Sequence, residues 1–215
     1  MTTGVGVQGD APGARWAERT FGDLAGPLAE LIPGCIVRAH ERALDGHQGV
    51  RTQTLEAYGH GLYAAQYEEL VAGLSGIPGT RVAHLQSRGL VVVGDRVLYP
   101  FRYAKRDVPA TEARLRRAEG LRAQLLRRHG PEPLQPALFD FDVPEDALPE
   151  APRTDGPHAD PALLEPEARV VILAYACAMD RGVMRLEWGE AEVAADRYLL
   201  WHHRRSLLTR PSSGR

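Results

Sequence analysis

The chain has 215 residues and a formal net charge of −2, and its hydrophobic fraction of 44% and charged fraction of 25% are typical of a globular protein that needs no disulfides or metals to fold. Its apolar runs are shorter than the roughly 20 residues that cross a membrane, and its first residues lack a secretory signal, which predicts a cytoplasmic protein with no membrane partner. Cys35 and Cys177 have no Cys or His at ligand spacing, so we expect two buried thiols and neither a metal nor a cofactor.

Three helical segments are predicted in the first third of the chain. Apolar residues at helical spacing predict one helix over residues 16–31 and another over 35–44, which the Asp45-Gly46 pair should end. A broader apolar stripe predicts a third helix over 52–74.

The pattern then changes from helical to extended. Residues 81–85 alternate apolar and polar side chains, as a strand does. Two β-branched runs, 90–93 and 97–101, flank Gly94-Asp95, which predicts a tight β-hairpin. After Pro109, a seam of Leu and Ala predicts a helix over 111–128.

A proline-rich acidic segment, residues 131–167, separates this part of the chain from the last strands. It carries ten acidic residues against Arg153, so we expect a flexible loop. Strands are predicted over 169–176, 182–188 and 197–201, the first of them apolar on both faces. The two ends of the chain, 1–14 and 209–215, are expected to be disordered.

These elements predict a single α+β domain over residues 15–208. We expect one mixed or antiparallel sheet of about five or six strands, with a central β-hairpin, packed by three or four helices. The long flexible acidic loop at 131–167 should interrupt this domain without belonging to its core.

Positive charge is concentrated in residues 102–128, where nine basic residues stand against three acidic ones, and the C-terminal residues 197–215 are also basic. Arginines interleave with aromatic residues at the end of the hairpin, which suits phosphate contacts combined with stacking on a base. The alternatives are a solvated helix face and internal pairing with the acidic loop. The predicted nucleic-acid contacts are Arg102, Lys105, Arg106, Arg114, Arg117, Arg128, Arg204 and Arg205.

A short peptide in the acidic loop reads Gln-Pro-Ala-Leu-Phe at residues 135–139. It resembles the QxxLF-type motif by which bacterial DNA polymerases and mismatch-repair proteins dock into the sliding clamp, with proline where leucine is commoner at the second position. The resemblance implies a DNA-bound partner such as the clamp, with Gln135, Leu138 and Phe139 as docking residues. The alternative is that Leu138 and Phe139 pack onto the protein's own core.

The predicted hairpin and the helix before it resemble the PD-(D/E)xK nuclease core, which pairs a helical acid with a hairpin that presents Asp and Glu-x-Lys. Glu56 or Glu69 would be the helical acid, Asp95 the aspartate and Lys105 the lysine. The second predicted strand carries no carboxylate to bind Mg²⁺, so the resemblance implies a degenerate relative that does not cleave.

The sequence contains no phosphate-binding glycine loop, no HExxH zinc motif and no GxSxG nucleophile elbow. His60 lies between two glycines in a helical stripe, which favours a place on a solvent or cleft surface. Glu56 on the same helix and Glu187 at the end of a later strand are the carboxylates that could act with it as acid and base.

We therefore expect a non-enzymatic, nucleic-acid-associated accessory or regulatory protein with a basic surface and a partner-docking peptide in its acidic loop. The first alternative is an enzyme, a hydrolase or a degenerate nuclease-like fold, that uses carboxylates and a histidine in a cleft. The second alternative is a protein–protein adaptor whose acidic loop is autoinhibitory.

Overall fold

A computed structural model describes residues 11–85, 88–118, 120–133 and 164–208 of the chain. The helices are α1 (Ala11–Phe21), α2 (Ala25–Val50), α3 (Glu56–Leu74) and α4 (Leu121–His129), with 3-10 turns at Gly22–Leu24 and Ala110–Glu112. The strands are β1 (Thr80–Leu85), β2 (Arg88–Val93), β3 (Arg96–Ala104), β4 (Arg169–Ala178), β5 (Gly182–Val193) and β6 (Leu199–Ser206). No helix in the described part of the chain is long and apolar enough to cross a membrane.

The six strands form one mixed sheet in chain order, from β1 at one edge to β6 at the other. β3 and β4 run parallel, and all other neighbours run antiparallel. Because strand side chains alternate between faces, the sheet supplies two cores. Helices α1, α2 and α3 cover one face, while α4 and the segment around Leu115 cover the other. The α+β class with a single sheet is confirmed, and the sheet is of the mixed kind.

The central strand β4 is buried at every position after Arg169. Its neighbours on both sides are strands, and helices cover both of its faces, so an apolar run without alternation is what the position requires. The prediction of a strand that is apolar on both faces is confirmed.

The predicted hairpin forms, but its two strands separate soon after the turn. β2 and β3 pair only from Val93↔Arg96 to Val91↔Leu98. Bonded and non-bonded pairs alternate in an antiparallel ladder, so the next bonded pair would join Gly89 to residue 100. Residue 100 is proline, which has no N–H to donate. The ladder towards β2 therefore ends, whereas the pairing of β3 with β4 continues through Pro100.

Beyond Val91, β2 packs against α3 and no longer pairs with β3. Gly89 allows the close approach to α3, since a Cβ at this position would lie 3.2 Å from Val71 Cγ2. The same Cβ would lie 3.0 Å from Val82 Cγ1 on β1, which stays paired with β2 along its whole length. β2 thus lies along α3, with β1 paired to its other edge, and leaves a gap beside the second half of β3.

The predicted helix end at Asp45-Gly46 is wrong, because α2 continues to Val50. Its buried face, which includes Ala39 and Ala43, packs on α3, and this packing outweighs the roughly 1 kcal/mol that a helical glycine costs. The helix ends where Arg51 adopts a left-handed conformation with φ of 57°.

The predicted helix over 111–128 is also wrong in its first half, since α4 begins only at Leu121. Residues 113–115 run extended beside the chain that enters β6: the Leu115 N–H donates to the Arg197 carbonyl at 2.9 Å, and the Leu199 N–H donates to the Ala113 carbonyl at 2.9 Å. Ala113 and Leu115 are buried while Arg114 is exposed. The apolar seam thus has the period of a strand in this stretch.

The last two strands are longer than predicted: β5 continues to Val193, and β6 begins at Leu199 and continues to Ser206. Three predictions fall wholly or mostly outside the described residues. They are the disordered start over residues 1–14, the flexible acidic loop over 131–167 and the disordered end at 209–215. Of the first, residues 11–14 are described and form the first turn of α1. Of the second, residues 131–133 and 164–167 are described, next to α4 and β4.

Candidate functional site

A group of aromatic rings and arginines occupies the gap between β2 and β3. We call it the tyrosine cleft. Helix α3 provides two tyrosines one turn apart, β3 provides two rings on the same face, and β2 and α4 each provide an arginine. Its members are Tyr63, Tyr67, Arg88, Tyr99, Phe101 and Arg122.

Arg88 is held against the first of these rings. Its Nη1 donates to the Tyr63 hydroxyl at 2.9 Å, and its Cζ lies 3.9 Å from the Tyr63 ring centroid and 5.6 Å from that of Tyr67. Tyr67 meets Tyr63 edge-on, with ring centroids 5.8 Å apart and an interplanar angle of 82°. Burial, with a smaller effect of Tyr99, raises the pKa of Tyr67, so its hydroxyl stays protonated.

Arg122 reaches the cleft from the first turn of α4. Its Nε donates to the Tyr99 hydroxyl at 3.2 Å, and its Cζ lies 4.5 Å from the Phe101 ring centroid and 5.7 Å from that of Tyr99. A guanidinium over aromatic rings gains about 0.5–2 kcal/mol, more when it is shielded from water. The two half-buried arginines therefore approach the cleft from opposite sides.

Neither of these arginines has a carboxylate partner within the described ranges. Arg38, by contrast, pairs with Glu69 at 3.0 Å. Hydrogen bonds to tyrosine hydroxyls do not neutralise a guanidinium, so the described residues leave the positive charge of the cleft uncompensated. An anion brought to this place would gain from it.

An open pocket of about 460 Å³ adjoins the cleft, and Tyr63 belongs to both. The first turns of α3 form one wall and the residue that follows β3 forms the other. The residues that line the pocket are Leu55, Glu56, Gly59, His60, Tyr63 and Lys105. We call it the Lys105 pocket. Tyr63 is 36% exposed there, unusually so for a large aromatic residue.

The Lys105 pocket brings together residues from two different predictions. Glu56 and His60 are candidates of the enzyme hypothesis, and Lys105 is a candidate of the nucleic-acid hypothesis. His60 is exposed, on a helix that stays regular through the two glycines beside it. Glu187 does not join them: it is buried on β5 and pairs with Arg204 at 3.0 Å.

The other predicted basic contacts are spread over several surfaces. Arg102 turns into the protein and donates from Nε to the Cys177 carbonyl at 2.9 Å, so its guanidinium is already in use. Arg114 lies 5.4 Å from the Tyr198 ring centroid. Arg106, Arg117 and Arg128 are exposed, Arg205 is half-buried, and Gln135, Leu138 and Phe139 lie outside the described residues.

The residues matched to the nuclease core are not assembled. Asp95 precedes β3 and Lys105 follows its end, so a nine-residue strand of about 30 Å separates them. Glu69 forms ion pairs with Arg38 at 3.0 Å and Arg42 at 3.4 Å. These residues could not share one metal ion, and no group of three His, Cys, Asp or Glu in the described part of the chain is placed to hold one.

A buried polar cluster escaped the sequence analysis. His40 Nδ1 lies 2.8 Å from the Tyr58 hydroxyl and 3.6 Å from Cys177 Sγ, and the hydroxyl is 3.4 Å from the same sulfur. Burial lowers the pKa of His40 and raises that of the Cys177 thiol. Because Cys177 is 0% exposed, the cluster serves packing and hydrogen bonding rather than nucleophilic chemistry.

The tyrosine cleft was missed as well. Tyr63 and Tyr67 lie within the apolar stripe that predicts their helix, and Arg122 is one of nine basic residues in 102–128. One signal is present in the sequence: Pro100 lies inside the predicted strand 97–101, and proline interrupts a ladder.

Comparison with protein-family models, curated proteins and solved structures gives no match for this chain.

Proposed function

We propose that the protein is a nucleic-acid-associated accessory protein that holds a strand at the tyrosine cleft and the Lys105 pocket. The observation that supports this most directly is the pair of arginines, Arg88 and Arg122, fixed on aromatic rings without a carboxylate partner among the described residues. Of these rings Tyr63 is exposed, whereas Tyr67, Tyr99 and Phe101 are buried. An arginine beside an exposed ring is the combination by which proteins bind single strands, with phosphates on the cations and bases on the rings.

The surroundings of the cleft fit the same ligand. Lys105 and Arg106 follow β3 and are exposed next to the pocket wall. The space between Tyr63, Tyr67 and Tyr99 is only about 10 Å³, so these rings fill the cleft and leave the open pocket for a ligand. A phosphate at the pocket rim would provide the anionic partner that Lys105, Arg88 and Arg122 lack among the described residues.

The test is a binding titration of the full-length protein with a fluorescein-labelled oligonucleotide at about 50 and 200 mM salt. Wild type should bind, with an affinity that falls steeply as salt rises. Lys105→Gln and Arg122→Gln should each weaken binding and reduce the slope of log affinity against log salt by roughly one. The matched control is Arg19→Gln, which removes an exposed arginine from α1 and should bind as wild type does.

Two results would reject the proposal. One is the absence of binding by wild type at the lower salt concentration. The other is binding that Lys105→Gln, Arg122→Gln and Arg19→Gln weaken equally, since this would indicate a general charge effect and no defined site.

A second candidate is an enzyme that acts in the Lys105 pocket. Glu56, His60 and Lys105 provide a carboxylate, an imidazole and an amine in one open space, and these groups serve as general acids and bases. Hydrolysis of bis-p-nitrophenyl phosphate by wild type, and its loss in Glu56→Gln and His60→Gln, would support this candidate. Absence of turnover by wild type would leave the binding function alone.

A further inference from the structure

We infer that the Lys105 pocket takes one unpaired base, stacked on Tyr63, so that the protein prefers single-stranded over duplex nucleic acid. This inference rests on the proposed function and makes it specific, because it names the form of nucleic acid and the residue that selects it. It follows from the way the Tyr63 ring is held, from the size of the pocket and from the distribution of charge around it.

The Tyr63 ring is fixed before any ligand arrives. Arg88 lies 3.9 Å from the ring centroid and bonds the hydroxyl at 2.9 Å, while Tyr67 contacts the ring edge-on. The Tyr63 side chain also lines the pocket and is 36% exposed. A ring that is already ordered loses little conformational entropy when a base stacks on it, so most of the stacking free energy remains available for binding.

The Arg88 guanidinium also prepares the ring for this role. A cation over an aromatic ring is attracted by the π electrons of the ring. A base that stacks on the part of the ring not covered by the guanidinium would form a layered arrangement of guanidinium, phenol and base. Leu55 and Gly59 line the same pocket, and Leu55 adds an apolar side chain to its wall. Nothing within 4 Å would meet a Cβ at Gly59, so the pocket is open above this glycine.

The volume of the pocket is compatible with a single base. At about 460 Å³ it falls in the usual range of small-molecule sites, roughly 300–1,000 Å³. A base inside a duplex is stacked on both neighbours and paired on its edge. Such a base could reach Tyr63 only by flipping out of the duplex. The loss of stacking and pairing costs a few kcal/mol, and an unpaired base avoids this cost.

Charge gives the strand its orientation. Lys105 is exposed and forms no ion pair with the described residues, whereas Glu56 lies in the first turn of α3. The phosphate is therefore expected beside Lys105 and away from Glu56, with the base between them on Tyr63. Lys105 and Tyr63 then contact the phosphate and the base of one nucleotide.

The experiment compares two labelled probes of the same sequence, one single-stranded and one duplex, with wild type and three variants. Tyr63→Leu removes the stacking ring, and Tyr63→Phe keeps the ring without its hydroxyl. The control is Tyr198→Leu, because Tyr198 is 38% exposed and also carries an arginine, Arg114 at 5.4 Å, but lies outside the pocket.

Wild type should bind the single strand more tightly than the duplex. Tyr63→Leu should weaken single-strand binding on the order of tenfold and leave duplex binding unchanged, while Tyr63→Phe and Tyr198→Leu should stay close to wild type. The unfolding transition of each variant, measured in the same buffer, separates a lost ring contact from a lost fold.

The possible outcomes distinguish this inference from the proposed function. If wild type binds neither probe, the proposed function fails and this inference fails with it. If wild type binds both probes equally well, or if Tyr63→Leu binds the single strand as wild type does, the inference is overturned while nucleic-acid binding stands. If the folded Tyr63→Leu and Tyr63→Phe proteins lose single-strand binding equally, the ring is not the stacking platform, and the inference is also overturned.

Discussion

The packing of α3 on α2 sets the position of the Lys105 pocket, and Gly73 is the point at which this packing is tightest. A Cβ at Gly73 would lie 2.4 Å from Cys35 Sγ, well inside the separation of about 3.5–4.0 Å at which non-bonded heavy atoms attract. We expect Gly73→Ala to push α3 away from α2 by about 1 Å or to force Cys35 out of its rotamer.

The loss of stability in Gly73→Ala is best measured against a second glycine variant. Overpacking of this kind costs about 1–3 kcal/mol, while alanine regains about 1 kcal/mol of helix propensity. Gly46→Ala in α2 makes the same propensity gain, and nothing lies within 4 Å of its new Cβ. The propensity effects cancel in the difference, so Gly73→Ala should be less stable than Gly46→Ala by about 1–3 kcal/mol.

The assay is urea unfolding at neutral pH, with the midpoint and the slope fitted separately. The double variant Cys35→Ala/Gly73→Ala removes the sulfur that the new methyl group meets, and it should recover most of the loss relative to Cys35→Ala alone. If Gly73→Ala proved as stable as Gly46→Ala, the close contact between the two helices, and the account of how α3 is positioned, would have to be abandoned.

Three further predictions follow from the same contacts. Burial lowers the pKa of His40, so the folded protein holds a neutral imidazole while the unfolded chain binds a proton below about pH 6.5. The free energy of unfolding, measured from pH 8 down to pH 5, should therefore decrease once the pH is lower than about 6.5, and it should decrease less steeply in His40→Gln. Gly89→Ala should destabilise the fold by about 1 kcal/mol in thermal unfolding, because its Cβ would lie 3.2 Å from Val71 Cγ2 on α3 and 3.0 Å from Val82 Cγ1 on β1, and a gain in stability would contradict the close approach of β2 to these two neighbours. Arg122→Met should lower nucleic-acid affinity in the titration while costing less than about 2 kcal/mol of stability, because it removes one hydrogen bond to Tyr99 and a cation–π contact worth about 0.5–2 kcal/mol. A larger loss would show that Arg122 contributes mainly to packing.

Much of the fold could be predicted because its strongest patterns are local. Gly94-Asp95 between two β-branched runs is a hairpin signal that needs no information from elsewhere in the chain, and the unbroken apolar run of β4 requires a central strand. The buried positions of α3, from Tyr58 to Leu74, likewise recur at helical spacing. In these elements the local preference and the tertiary environment agree.

The errors arose where distant contacts decide the local structure. Gly46 is a helix breaker by propensity, but α2 continues past it because the opposite face packs on α3. Residues 113–115 fit a helical seam, yet they bond to Arg197 and Leu199, more than 80 positions away. The arginine partners of Tyr63 and Tyr99 come from β2 and α4, and no spacing rule joins these positions.

The tyrosine cleft is also where the chain departs most from the rules that stabilise a fold. Pro100 ends a ladder that could otherwise continue, Tyr63 leaves much of its ring exposed, and Arg122 is half-buried without a carboxylate among the described residues. Each departure costs stability, and a sequence selected for folding alone would avoid all of them. The described sheet carries another departure in the buried Trp188 indole N–H on β5, which has no hydrogen-bond partner among the described residues, but the three departures at the cleft lie together beside an open pocket. Departures that gather around an open pocket favour a binding role for that pocket, and this is the reason to probe the Lys105 pocket before any of the other basic surfaces.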